Sequence, residues 1–156
     1  MEQQYHLAQF NLAIPVAPLN SPEMVEFMNG LATINSLAEE STGFVWRLKG
    51  DDDSNSTDCT SEEFPNAILT LSVWKDLDSL KEFVYKSHHA SYMAKRSQWF
   101  VKHDNDTPYQ VLWWVQDGHT PTIIEAVNKL KHLKEYGPSR DAFTFRTSFP
   151  SVISSS

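Results

Sequence analysis

The residues best suited to chemistry are two adjacent histidines, His88 and His89, near the middle of the chain. Imidazole titrates near neutral pH, so histidine can accept or donate a proton during catalysis. If the segment is helical, residues four apart share a face, which aligns His88 with Tyr92 and Arg96, and Trp99 lies close to the same line. A proton carrier, a phenol, a fixed cation and an aromatic plate on one face predict a site that orients an anionic or aromatic ligand.

Three further residues are predicted to contact that ligand. Tyr85 precedes the histidines in the same predicted helix. Arg47 lies in an apolar strand, where its charge needs a ligand carboxylate or an acidic side chain as a partner. Trp113 and Trp114 are consecutive in a strand, so only one of them can line a given cavity, and we assign Trp113 to it. The alternative is structural: histidines that cap a bend, and aromatic side chains that pack in a core or a dimer interface.

The sequence gives little support for a metal site or a nucleotide site. Adjacent histidines on a helix diverge by about 100° and rarely chelate one ion. The acidic loop from Asp51 to Glu62 has spacing similar to an EF-hand loop, but Ser56 stands where the turn needs glycine. The chain contains neither a GxGxxG motif nor a P-loop. We therefore predict no metal and no cofactor.

The composition is typical of one globular domain. The 156 residues are 40% hydrophobic, which suffices for a buried core without a disulfide. A net charge of −7 disfavours binding to nucleic acid, and no apolar run is long enough to span a membrane. Cys59 is the only cysteine, and the N-terminus lacks a signal-peptide pattern, so we expect a cytoplasmic protein. The domain is placed at residues 1–150, with a disordered tail at 151–156.

Hydrophobic periodicity predicts alternating strands and helices. Ser21 and Pro22 mark the start of a first helix, with Ser21 as N-cap. A second helix begins near Asp76 and either continues through 90–100 or bends at the histidines. A last helix begins at a capping box formed by Thr122 and Glu125 and ends at Gly137. Strands are predicted at 5–14, 44–48, 66–74, 109–115 and 142–149.

The predicted order is β-α-β-β-α-β, followed by an extra α-β. The first six elements have the order of the ferredoxin-like, or split βαβ, arrangement. We therefore predict an α+β fold, with an antiparallel sheet that carries helices on one face. The other face is apolar and needs a cover, which a second copy of the chain would supply as a dimeric α+β barrel. The predicted partners are thus a second copy in a homodimer and a small-molecule ligand.

Several sequence blocks together cover nearly the whole chain: 6–11, 43–48, 71–74, 83–89, 96–100, 111–115, 118–122, 137–139 and 142–145. They resemble the corresponding blocks of an uncharacterised family of small bacterial and fungal proteins in the dimeric α+β barrel superfamily. The resemblance implies that fold. It implies no particular activity.

A second resemblance covers the central third of the chain. Residues 73–74, followed by a helix that ends in the serine and two histidines at 87–89, are similar to antibiotic-biosynthesis monooxygenases. Those enzymes are dimeric α+β barrels, as are haem-degrading monooxygenases, which need an asparagine, a tryptophan and a helix histidine. Asn11 matches the asparagine, but Phe83 stands near the tryptophan position, and residues 93–94 near the histidine position are methionine and alanine. The chain therefore departs from the haem-degrading pattern.

These observations leave more than one class of function open. The first is a small-molecule enzyme of secondary metabolism with monooxygenase-, isomerase- or dehydratase-like chemistry. The histidines would then be acid–base groups, the arginines an anion clamp and the tryptophans an apolar wall, around an apolar or aromatic substrate with at most one carboxylate or phenolate. The alternatives are a non-catalytic binding protein for haem or another aromatic ligand, and a purely structural dimerisation module.

Overall fold

The computed structural model describes residues 5–18, 21–48, 67–86, 99–100 and 109–149, with the backbone alone at 31–32 and 85–86. The strands are β1 (Tyr5–Ala13), β2 (Phe44–Arg47), β3 (Ile68–Trp74) and β4 (Gln110–Gln116). The helices are α1 (Val25–Glu40), α2 (Leu77–Lys86) and α3 (Ile123–Tyr136), and a 3-10 turn lies at Pro22–Met24. The strands form one antiparallel sheet in the order β2-β3-β1-β4. With α1 and α2 as the crossovers, this is the ferredoxin-like arrangement, so the predicted α+β fold is confirmed.

One face of the sheet, the helix-side face, packs against α1 and α2 through two separate apolar clusters. The first cluster joins Leu7 and Trp74 of the sheet to Ile34 of α1 and Phe83 of α2. The rings of Trp74 and Phe83 stack there with centroids 5.1 Å apart. The second cluster lies at the other end of α1 and contains Met24, Phe27, Ile68 and Trp99. The two clusters hold the two ends of α1 on the sheet.

The opposite face of the sheet is covered by α3. Its buried residues Ala126, Val127, Leu130 and Leu133 belong to one cluster with the buried side chains that alternate along the strands, among them Ala8, Phe10, Val73 and Trp113. In the described part of the chain, this face is therefore not the uncovered apolar surface from which the homodimer was predicted. The homodimer remains a prediction, and this face supplies no reason for it.

The element boundaries follow most of the sequence signals. Gly137 ends α3 at φ 76°, a conformation that glycine adopts without strain, and its N–H bonds to the Leu133 carbonyl. Ser21 does not act as the predicted N-cap, because its hydroxyl donates to the Pro18 carbonyl, and a 3-10 turn precedes α1. The predicted last strand is reduced, within the described residues, to isolated bridges such as the one between Leu112 and Phe143.

No helix in the described ranges is long and apolar enough to cross a membrane. The predicted helix at 90–100 lies outside those ranges except for Trp99 and Phe100, and the acidic loop at 51–62 and the predicted tail at 151–156 lie wholly outside them.

Candidate functional site

The helix-side face carries a polar strip between its two apolar clusters. Side chains alternate between faces along a strand, so the sheet register decides which residues share this face with Leu7 and Trp74. Cross-strand pairs place Ser72 opposite Gln9, and Asn11 between Thr70 and Gln110. We call these residues the polar floor: Gln9, Asn11, Thr70, Ser72 and Gln110. All five are uncharged.

The polar floor is open to solvent at Thr70. On the helix-side face of β3, Ile68 and Ser72 are each 8% exposed, yet Thr70 between them is exposed. Among the described residues Thr70 is paired with Asn11 of β1 alone, because β2 ends at Arg47, opposite Ser72. Its neighbour Asn11 is half-buried. The cover over the sheet therefore has a gap, which we call the opening.

The sequence of α1 explains how such a gap can form. Phe27 contributes to the second apolar cluster and Ile34 to the first, and seven residues of helix separate their α-carbons by about 10 Å. Gly30 lies three residues after Phe27 and four before Ile34, which places it on the same face of the helix. Glycine has no side chain to fill the space beneath the helix at that point.

Asn11, beside the opening, has a hydrogen-bonding atom that is unused and closed to solvent. Its Oδ1 is fully buried and has no hydrogen-bond partner in the described part of the chain. A buried carbonyl oxygen without a partner is rare and costs free energy of folding, so each case calls for a reason. A ligand with a hydroxyl or N–H group would supply the missing donor.

A chain of hydrogen bonds lies directly beside it. The indole Nε1 of Trp74 donates to the hydroxyl of Ser72 at 2.9 Å, and that hydroxyl donates to Oε1 of Gln9 at 2.9 Å. Gln9 and Ser72 are 7% and 8% exposed. The three side chains thus form a buried polar connection that runs from the first apolar cluster into the polar floor.

Four of the predicted site residues, His88, His89, Tyr92 and Arg96, lie outside the described residues, and Tyr85 is described in its backbone only. Their roles therefore remain predictions. The described residues on either side of them in the sequence, those of α2 and Trp99, pack on the helix-side face.

Arg47 lies at the edge of the helix-side face, opposite Ser72 on β3. Its Nε lies 3.5 Å from Oε2 of Glu39, and its side chain is 11% exposed. The same Nε is buried without a hydrogen bond, so the two charges are close but not aligned for one. The acidic partner considered from the sequence is therefore present within the protein.

The structure separates the two tryptophans that the sequence assigned to one ligand wall. Trp99 belongs to the second apolar cluster, where its ring centroid lies 5.5 Å from that of Phe27. Trp113 points to the opposite face and packs beneath α3. Trp114 shares the helix-side face with Trp99, and its Nε1 donates to the Phe149 carbonyl at 2.9 Å. Trp99 can border the opening, whereas Trp113 lies across the sheet from it.

Trp113 instead helps to hold the start of α3. Its Nε1 donates to Oε2 of Glu125 at 2.9 Å, and the other oxygen of Glu125 lies 2.7 Å from Nε2 of His119. The predicted cap is present, because the Thr122 hydroxyl accepts from the Glu125 N–H at 3.1 Å. The carboxylate, however, bonds to Trp113 and His119. This cluster anchors a helix start.

The polar floor was not identified from the sequence as a site. A signal was nevertheless present, because Gln9 and Asn11 interrupt a face of β1 that is apolar at both ends, at Leu7 and Ala13. Only the register with β3 reveals that Ser72 and Thr70 meet these two amides. Among the described residues, no group of three or more histidine, cysteine, aspartate or glutamate side chains is placed to hold a metal ion.

The chain belongs to the family described as a domain of unknown function, DUF3291, whose model matches residues 6–155. No curated protein matches it significantly.

Solved structures similar to the chain include the protein of unknown function NE2512 from Nitrosomonas europaea, with 14% sequence identity and a TM-score of 0.45 over 76% of this chain and 95% of that one. A "putative antibiotic biosynthesis monooxygenase" from Bacteroides thetaiotaomicron has 15% identity and a TM-score of 0.40 over 77% of this chain and 91% of that one. The cofactor-independent oxygenase SnoaB from Streptomyces nogalater has 10% identity and a TM-score of 0.38 over 79% of this chain and 98% of that one.

Proposed function

We propose that this DUF3291 protein binds a small, largely apolar molecule in the opening above the polar floor and converts it chemically. One observation carries the proposal: a gap in the helical cover at Thr70 lies beside a buried acceptor, Oδ1 of Asn11, that has no partner in the described part of the chain. A concave site with apolar walls and a few fixed polar groups is the usual form of a small-molecule site.

The walls of the opening favour an apolar or aromatic ligand. Phe27 and Trp99 belong to the cluster on one side of the polar floor, and Trp74 and Phe83 to the cluster on the other. These side chains are 1–8% exposed, so a ligand would meet only their edges, and an apolar or aromatic ligand suits such a border. The uncharged floor between them would orient the ligand through hydrogen bonds.

For the chemical step we propose His88 or His89 as the acid–base group. Cofactor-independent oxidation, isomerisation and dehydration all include a proton transfer, which a histidine near its own pKa can perform at neutral pH. The floor amides would hold the polar edge of the substrate while that transfer takes place. Replacing both histidines by alanine should then abolish turnover and leave ligand binding largely intact.

The alternative is a binding protein without catalysis, for haem or another aromatic ligand, and the aromatic walls favour it equally. Purified protein that carries a visible absorption band would support it. Turnover distinguishes the enzyme from the binding protein. If the protein is an enzyme, an aromatic ligand incubated with it in air should give a product that mass spectrometry detects, and the double histidine variant should not form that product. If the ligand is unchanged in every incubation, the protein binds it without catalysis.

Binding itself is tested by filling the opening. Thr70→Phe places a ring in the gap, and phenylalanine is well accepted in strands. Fluorescence titration with 2-naphthol should give an affinity at least about tenfold lower for this variant than for the parent, because the probe and the new ring compete for one space. Thr147→Phe, at another exposed threonine, is the matched control and should bind like the parent. Equal affinities for all three proteins would contradict the proposed site.

A further inference from the structure

The hydrogen bonds beside the opening run in one direction. An indole N–H can donate but not accept, so Trp74 donates to the Ser72 hydroxyl. The one proton of that hydroxyl is donated to Oε1 of Gln9. Gln9 thus turns its carbonyl oxygen towards Ser72.

This direction fixes what Gln9 can offer to a ligand. With Oε1 held by Ser72, the amide group Nε2 must project away from the serine. Nε2 makes no hydrogen bond in the described part of the chain, and it is not among the fully buried atoms without a partner, so it remains accessible. The free hydrogen-bonding group that Gln9 presents to the polar floor is thus its N–H donor.

Asn11 presents the complementary group. It lies two residues along β1 on the same face, about 7 Å from Gln9 between α-carbons. Its buried Oδ1 needs a donor. The floor therefore offers a donor at Gln9 and an acceptor at Asn11, at a spacing that one small ring system can span.

The floor has no charge to pair with an ionised ligand. Its five residues are neutral, and the nearest charge in its cross-strand rows, Arg47, already lies 3.5 Å from the Glu39 carboxylate. A carboxylate bound here would lose its hydration without a counter-charge from the described residues of the polar floor, which is costly. Neutral ligands are favoured instead.

We infer that the ligand of this site is a neutral molecule whose polar edge carries a carbonyl-type acceptor, bound by Gln9, and a hydroxyl-type donor, bound by Asn11. Ser72 and Trp74 are positioning residues, because they fix the orientation of the Gln9 amide without touching the ligand's carbonyl. The inference rests on the proposed function, since it assigns the chemistry of the same opening.

Three probes separate the two contacts at pH 6, where the hydroxyl groups are protonated. 7-Hydroxycoumarin carries both groups, 7-methoxycoumarin keeps the carbonyl but has lost the hydroxyl, and 2-naphthol has only the hydroxyl. Gln9→Met should weaken both coumarins by about 3- to 10-fold and leave 2-naphthol unchanged, because one hydrogen bond to the carbonyl is lost. Asn11→Leu should weaken 7-hydroxycoumarin and 2-naphthol by a similar factor and leave 7-methoxycoumarin unchanged.

The positioning role has its own readout. Trp74→Phe keeps an aromatic ring but removes the indole donor, so Ser72 can more readily accept from Nε2 of Gln9 and the Gln9 amide can turn over. The ratio of 7-methoxycoumarin affinity to 2-naphthol affinity should then fall by about threefold or more, whereas a general loosening of the site would weaken both probes equally.

The outcomes distinguish this inference from the proposed function. If the probes bind and Thr70→Phe blocks them, but Gln9→Met and Asn11→Leu affect all three probes alike, the assignment of carbonyl and hydroxyl is wrong and the site stands. The assignment is also wrong, with the site intact, if a carboxylate probe, 2-naphthoate, binds at least as tightly as 2-naphthol. If no probe binds the parent protein, both the site and the ligand assignment fail.

Discussion

Replacing Asn11 by leucine should stabilise the protein while removing a ligand contact. Leucine has the same branched shape and number of heavy atoms as asparagine, and it leaves no polar side-chain atom at position 11. A buried carbonyl without a partner costs about 1–3 kcal/mol. Only Oδ1 of Asn11 is fully buried and the residue as a whole is half-buried, so the lower end applies. We expect the free energy of unfolding to rise by about 1 kcal/mol, which corresponds to about 2–4 °C in Tm for a chain of this size.

Gln9→Met is the matched comparison, two residues away on the same face of β1. It removes the acceptor for the buried Ser72 hydroxyl, so the free energy of unfolding should fall by about 1 kcal/mol. Urea denaturation followed by far-UV circular dichroism, at equal protein concentrations, measures both changes. The two amide replacements should therefore move stability in opposite directions.

A loss of about 1 kcal/mol or more in Asn11→Leu would refute the reasoning. It would mean that the Asn11 amide has a stabilising partner in the folded protein, and the argument for a ligand donor would lose its basis. If Asn11→Leu is more stable but binds the probes as the parent does, the buried Oδ1 is indeed costly, but Asn11 does not contact the ligand.

Two further predictions concern the junction between β2 and α2. Gly43 has φ 88°, and an added Cβ would overlap the side chain of Ser79, so Gly43→Ala should lower the free energy of unfolding by the backbone cost of about 1–2 kcal/mol plus a steric term. Gly118→Ala, at φ 91° with open space around it, measures the backbone cost alone by the same urea titration, and equal losses would contradict the steric term. Hydrogen bonds from the Ser79 side chain and backbone lower the pKa of Asp76 below 3.8. This stabilisation is fully present above pH 3.8 and is lost as pH falls through the folded-state pKa, so the stability advantage of the parent over Asp76→Asn should stay constant above pH 3.8 and shrink as the pH falls below it.

The fold could be predicted from the sequence because its signals are local. Alternating apolar residues marked the strands, and the almost continuous apolar run of β3 indicated its interior place, between β2 and β1. The cap at Thr122 and the glycine at Gly137 marked the ends of α3. These features depend on residues within a few positions of one another.

The candidate site depends on pairings between distant residues. Gln9 and Ser72 are 63 positions apart, and only the register of β1 with β3 brings them together. The covering of the second sheet face by α3 is likewise a tertiary event, because an amphipathic helix does not specify which face it packs on. The placement of Trp113 beneath α3, away from Trp99, follows from that packing.

The most direct test of the binding site is the side-chain amide region of a ¹⁵N–¹H correlation spectrum, recorded while 7-hydroxycoumarin is added. The NH₂ signals of Gln9 and Asn11, assigned from the Gln9→Met and Asn11→Leu spectra, should shift and saturate together. The signal of Asn128, exposed on α3 across the sheet, should stay in place. Saturable shifts at Asn128 with none at Gln9 or Asn11 would contradict a ligand site on the helix-side face of the sheet.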